Sequence, residues 1–178
     1  MMWDRKSWLT YLTVLVITVV VLIAGQLLWH QYAVAKPLDK GLQQVQGVEA
    51  ANWEEGGRNS DAAVLDVTLG GVENLQKTYM AINDTARQAL GRKAFRVVLR
   101  DHRSPELENL DYQIQYSVQE AMVSGNFTAM AAAVQKAAEG AKTAAKIYVD
   151  NQYVYIQLTK DRDALYTVVP RHGSEEVK

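Results

Sequence analysis

KIYVDNQYVYIQL, residues Lys146 to Leu158, alternates aliphatic and tyrosine side chains on either side of Asp150-Asn151. Alternation of period two around a pair of turn formers predicts a β-hairpin. With Asp150-Asn151 as a two-residue turn, Val149 sits opposite Gln152, Tyr148 opposite Tyr153, Ile147 opposite Val154 and Lys146 opposite Tyr155. The two faces then separate. Ala145, Ile147, Val149, Val154, Ile156 and Leu158 point one way, while Tyr148, Tyr153 and Tyr155 point the other with Lys146 and Gln157. Tyr166, beyond the TKDRD loop, is expected to extend the tyrosine face.

The aliphatic face belongs against helices. The tyrosines therefore turn toward solvent, a second layer or a partner. A solvated sheet carries tyrosine readily, because the ring is a good strand former with a polar tip. Tyrosine is also enriched at protein interfaces, so Tyr148, Tyr153, Tyr155 and Tyr166 are the interface candidates. A platform for cell-wall glycan is the third use.

Outward from the hairpin, the pattern alternates helices and strands. KPLDKGLQQVQG places Leu38, Leu42 and Val45 on one helical face, with Gly47 to end it. VEAANWE and AAVLDVTL read as strands. Val72, Leu75, Tyr79, Ile82, Ala86 and Leu90 recur at helical spacing up to Gly91, and AFRVVLR follows as a strand. Ser104-Pro105 opens a helix with the stripe Leu107, Leu110, Ile114, Val118 and Ala121. After Gly125, Asn126 caps an alanine-rich helix lined by Phe127, Met130, Val134 and Ala137. KIYV, YVYIQL and LYTVV then complete the chain's strands. The order is α-β-β-α-β-α-α-β-β-β, and the expected fold class is α+β, over residues 38–171. Its subregions, 38–103 and 104–171, are each small enough to be marginal alone, which predicts a shared core. Residues 172–178 read as a disordered tail.

The N-terminal run is of another kind. From Ser7 to Leu28 no charged residue occurs. As a helix this run measures about 33 Å against a hydrocarbon core of about 30 Å. Residues 7–32 are therefore expected to form a transmembrane helix. Trp3, Trp8, Trp29 and Tyr32 flank it as membrane-interface anchors. Arg5-Lys6 against the apolar run implies a short cytoplasmic tail over 1–6 and an extracytoplasmic domain beyond a single pass of the cell membrane. The rival is a signal peptide cleaved after Ala35, which sends the domain to the same side.

Bulk composition excludes several classes. With 19 Lys+Arg against 20 Asp+Glu, the 178-residue chain has a formal net charge of -1, which argues against a nucleic-acid surface. The absence of cysteine excludes disulfides, thiolate metal sites and a cysteine nucleophile. TLGGVENL offers a strand, Gly-Gly and a helix, but no Lys-Ser/Thr follows and Glu73 would repel an anion. Asp101 and His102 are neighbours that point apart on an extended chain. His30, His102 and His172 lack ligand spacing, and no G-x-S-x-G occurs. No enzyme, cofactor or metal is expected. Asn83 and Asn126 open N-x-S/T triplets, both on or at helices.

The α-β-β-α-β order, with LQQVQGVEAA (Leu42, Val45, Gly47, Val48, Ala51) placing a short helix, a glycine and a first strand, resembles a known module. It is the ring-building motif of bacterial membrane-complex proteins, among them the flagellar and type III secretion rings and the stage III sporulation proteins. The resemblance covers residues 38–101 and implies oligomerisation outside the cytoplasm. The expectation is thus a membrane-anchored, non-catalytic protein-interaction or self-assembly domain, its partners the lipid bilayer, another protein and itself. A cell-wall glycan-binding module is the alternative, and an anchored enzyme comes third.

Overall fold

The computed structural model describes residues 11–12, 14–23, 36–54 and 62–171. Four helices and six strands make up the described domain. They are α1 (Lys36–Gln43), β1 (Val48–Glu54), β2 (Ala63–Leu69), α2 (Leu75–Leu90), β3 (Phe95–Arg100), α3 (Pro105–Ser124), α4 (Phe127–Gly140), β4 (Ala144–Val149), β5 (Tyr153–Lys160) and β6 (Asp163–Pro170). The fold is α+β.

The N-terminal expectation needs correction. Residues 11–12 and 14–23 are helical. No helix among the described residues is long and apolar enough to cross a membrane. The transmembrane helix expected over 7–32 is therefore not found among the described residues. Trp3, Trp8, Trp29 and Tyr32 lie outside the described residues, as do the tail 1–6, the cleavage position after Ala35 and the tail 172–178.

The domain is built on two three-stranded sheets. In the first, β1 runs antiparallel to β2, and β2 runs parallel to β3. A parallel neighbour needs a crossover, and α2 supplies it. Asn74 starts α2 by accepting the Lys77 N–H at 3.0 Å, and Gly91 ends it at φ 62. Leu65, Val67 and Leu69 of β2 alternate inward and meet Leu75, Ile82 and Ala86 of α2 and Leu38 and Leu42 of α1. Gly47 turns the chain into β1 at φ +89, and a Cβ there would stand 2.9 Å from Val72 Cγ2, so a side chain meets both strain and a clash.

The second sheet is the antiparallel meander β4-β5-β6. Its aliphatic face packs on the α3–α4 hairpin, where Leu107, Leu110, Ile114, Val118, Met130 and Val134 meet Val154, Ile156, Leu158 and Leu165. Ser104 occupies the N-cap of α3 without a side-chain cap bond, so Pro105 and the acidic first turn, Glu106 and Glu108, carry that helix start. Gly125 closes α3 in the left-handed region, and Asn126 Oδ1 accepts the Ala129 N–H at 3.1 Å to open α4.

The hairpin register differs from the two-residue turn. Val149 pairs with Val154, Tyr148 with Tyr155 and Lys146 with Gln157. Asp150 explains the longer loop. Its Oδ1 accepts the N–H groups of Gln152 at 2.7 Å and Tyr153 at 2.8 Å, satisfying loop donors that a tight turn would have paired across the strands. The slip is two residues, so each side chain stays on its expected face.

Candidate functional site

The tyrosine face of the second sheet meets the first half. Tyr155 is 1 % exposed and Tyr166 4 %, and both belong to the hydrophobic cluster formed by α1, α2 and the first sheet. Tyr148 and Tyr153 pack against the same cluster, half-buried. Of the three destinations open to these rings, the structure shows the second layer. All four interface candidates come together, and the contact they make is within the chain.

Tyr79 of α2 is the receiving ring. It lies edge-on to Tyr153 at 5.4 Å between centroids and to Tyr155 at 5.8 Å. The Tyr155 hydroxyl donates to Asp150 Oδ2 at 2.7 Å, and Gln76 Nε2 reaches the same oxygen at 3.4 Å. Burial works against the Asp150 charge, but the Tyr155 hydroxyl and the loop N–H groups outweigh it and hold the carboxyl below its ordinary range. Burial, with Tyr153 adjacent, pushes the Tyr79 phenol up to about 12. Tyr155 is raised further, by burial and then by the bond to Asp150.

Next to the rings, a cross-strand pair grips one residue of the opposite half. Gln157 Nε2 donates to the Val72 carbonyl at 2.7 Å, and the Val72 N–H donates to the Tyr166 hydroxyl at 3.4 Å. Gln157 faces Tyr166 across β5 and β6, so the meander register brings both to Val72. Gln157 Oε1 is buried and has no hydrogen-bond partner among the described residues. Lys146 Nζ adds a bond to the Glu73 carbonyl at 3.1 Å.

The segment joining the halves is held too. Asp101 accepts Nε of Arg103 at 2.7 Å and Nη2 at 3.0 Å, and it accepts the Tyr166 N–H at 2.9 Å. The His102 carbonyl accepts the Ala164 N–H at 2.9 Å. Asp101 and His102 thus serve the joint. His102 Nε2 stands 3.1 Å from Glu49 Oε2, in solvent. At the far end of the meander, Arg171 lies 4.5 Å over the Phe127 ring and donates to the Asp150 carbonyl at 2.6 Å.

What the sequence reading missed lies on α3. Tyr112 is 63 % exposed, Tyr116 66 % and Val123 93 %. They recur at steps of four and seven on the face opposite Leu110, Ile114, Val118 and Ala121, where a solvated helix ordinarily carries polar groups. The two rings meet edge-on at 6.2 Å. The signal was in the sequence, since a second aromatic stripe stands half a turn away from the aliphatic one.

An open groove of about 560 Å³ between α1 and α2 is lined by Gly41, Gln44, Val45, Gln46, Ala81, Thr85, Gln88 and Ala89. It offers amides and no aromatic ring for a sugar to stack on. Among the described residues no cluster of three or more His, Cys, Asp or Glu is placed to hold a metal ion. Comparison with protein families, with curated proteins and with solved structures returns no match.

Proposed function

We propose that the chain is a non-catalytic protein-interaction domain that associates with itself. The observation that carries this reading is the α3 stripe. Tyr112, Tyr116 and Val123 form an aromatic and aliphatic strip directed away from the core, and no part of the described fold covers it. Exposed aromatic groups grouped on one rigid helix are the usual anchors of a protein contact. The tyrosines of the meander serve the joint between the halves, so the outward contact passes to α3. The resemblance of residues 38–101 to the ring-building motif favours the same function class.

Sedimentation velocity on the full chain, in a mild detergent that covers the exposed apolar side chains of residues 11–12 and 14–23, tests the reading. Reversible growth in protein mass with concentration is expected. A monomer at every concentration up to near-millimolar would sink it.

A further inference from the structure

The stripe on α3 is part of a longer ridge. Pro105, Asn109, Tyr112, Tyr116, Gln119 and Val123 are all exposed and succeed one another at steps of four, three, four, three and four. Such spacing lines them up on one side of a helix, here the side opposite Leu110, Ile114 and Val118. None of the six carries a charge. The acids of α3, Glu106, Glu108, Asp111 and Glu120, stand beside the ridge. Glu106 is held by Lys160 of the same chain, and Asp111 accepts from the Thr167 hydroxyl. The ridge also reads alike in both directions, as apolar residue, amide, tyrosine, tyrosine, amide, apolar residue. Pro105 with Val123, Asn109 with Gln119 and Tyr112 with Tyr116 are each centred on Ile114.

A surface with that symmetry matches itself turned end for end. From this we infer that α3 of one copy packs antiparallel on α3 of a second copy, about a two-fold axis at the level of Ile114. The inference rests on the self-association proposed above and gives it a contact and a size. The axis sets Tyr112 against the partner's Tyr116, Asn109 against the partner's Gln119 and Pro105 against the partner's Val123. Rings then meet rings, amides donate and accept mutually, and the ends close on apolar groups. Tyr112 and Tyr116 are 63 % and 66 % exposed, and two copies bring four such rings together. At roughly 150 Å² each, the rings supply about half of the roughly 1,200 Å² at which stable interfaces begin. A parallel pairing would crowd Glu106 and Glu108 of both copies at one end, whereas the antiparallel one sends them to opposite ends. Because the same patch serves both copies, the contact is isologous and closes at two. The repulsion left is between acids on the flanks, so added salt is expected to tighten the dimer.

The chain has no cysteine of its own, so the register can be read by cross-linking on the full chain in the same detergent. Asn109→Cys and Gln119→Cys each alter one exposed side chain. Under mild oxidation a mixture of the two variants is expected to form a disulfide-linked dimer. Neither is expected to link alone, because the two copies of either position lie about 15 Å apart along the helix pair. A parallel contact gives the reverse, each variant linking to itself. Tyr112→Ser/Tyr116→Ser should associate about tenfold or more weakly than the unmodified chain, with a thermal melt by circular dichroism checking that it still folds. In sedimentation velocity the unmodified chain should stop at the mass of two copies. If it associates but the mixture does not link, either cysteine variant links to itself, the folded serine variant associates as before, or the mass grows past two copies, this contact is overturned and self-association stands. If the unmodified chain stays monomeric up to near-millimolar concentration, both fall.

Discussion

Residues 104–171 close their own core, whereas residues 36–103 do not. Every buried member of the cluster under the α3–α4 hairpin comes from the second half, from Leu107 to Leu165. The first half's cluster takes in Tyr155 and Tyr166 from the other side, and Tyr148 and Tyr153 pack at its edge. The polar contacts follow the same direction, since Gln157, Tyr166 and Lys146 all reach over to the Val72–Glu73 turn. Two subregions of similar length can therefore carry unequal independence. A three-stranded sheet with one long helix and one short one leaves part of its apolar face for another element to seal, and here the tyrosines seal it.

The harshest way to break this comparison is to separate the halves. A fragment of residues 104–171 is expected to melt cooperatively by circular dichroism, and one of residues 36–103 to lack a fixed fold. A cooperative melt of the 36–103 fragment alone would show that the first half does not depend on the second. Next in size come truncations within each core. Leu65→Ala and Leu158→Ala each remove a fully buried side chain and should cost about 2–5 kcal/mol in urea unfolding. Their hydrogen-exchange patterns should differ. Leu65→Ala is expected to loosen only the first half, while Leu158→Ala exposes amides throughout, and equal patterns would mean one indivisible core.

Substitutions at the joint sharpen the comparison further. Tyr155→Phe keeps the buried ring and loses the hydroxyl bond to Asp150, an expected cost of about 1–3 kcal/mol because the carboxylate loses a donor. The joint should also feel pH at both ends. Tyr79 has a phenol raised to about 12, so its contribution is fully present below the unfolded tyrosine pKa of about 10 and is lost as pH rises through the folded value. Tyrosinate absorbance would show this ring ionising only as the fold opens. Asp150, held below its ordinary range, contributes in the opposite sense. Its stability is present above the unfolded carboxylate pKa of about 4 and is lost as pH falls through the folded one, and Asp150→Asn should flatten that acid limb of a urea-midpoint profile.

The smallest expected effect lies at Asp111. Burial raises its pKa despite the Thr167 hydroxyl and nearby Arg103, so the folded state favours the protonated acid. Its contribution is present at low pH and lost as pH rises through the folded value. Near neutral pH, Asp111→Asn should therefore stabilise slightly, by about a few tenths of a kcal/mol after solvent screening. A measurable loss in urea midpoint would show that the Thr167 bond outweighs burial.

Particular residues show where the sequence was readable. Both faces of the hairpin were, because a register slip of two residues preserves parity, and the loop was not, because Asp150 satisfies loop N–H groups with its side chain. The helices were readable from their apolar spacing and from Gly91, Gly125 and Asn126 at their ends, but the spacing ran the start of α2 back to Val72, whereas Asn74 caps it at Leu75. The transmembrane expectation drawn from the apolar stretch Ser7 to Leu28 does not hold, since no helix among the described residues is long and apolar enough to cross a membrane. The exposed pair Tyr112 and Tyr116 was legible in principle from its phase opposite Leu110 and Ile114.

By itself, the sequence determined which elements form, in what order, and which side of each strand is aliphatic. These follow from interactions between residues a few positions apart. Only the tertiary structure decided what the tyrosines meet, for Tyr79 and Val72 come to Tyr155 and Gln157 from more than seventy residues away. That meeting depends on how two sheets stack, and no local periodicity encodes the stacking. The same packing assigns the meander tyrosines to the joint and leaves those of α3 outside, where a partner can reach them.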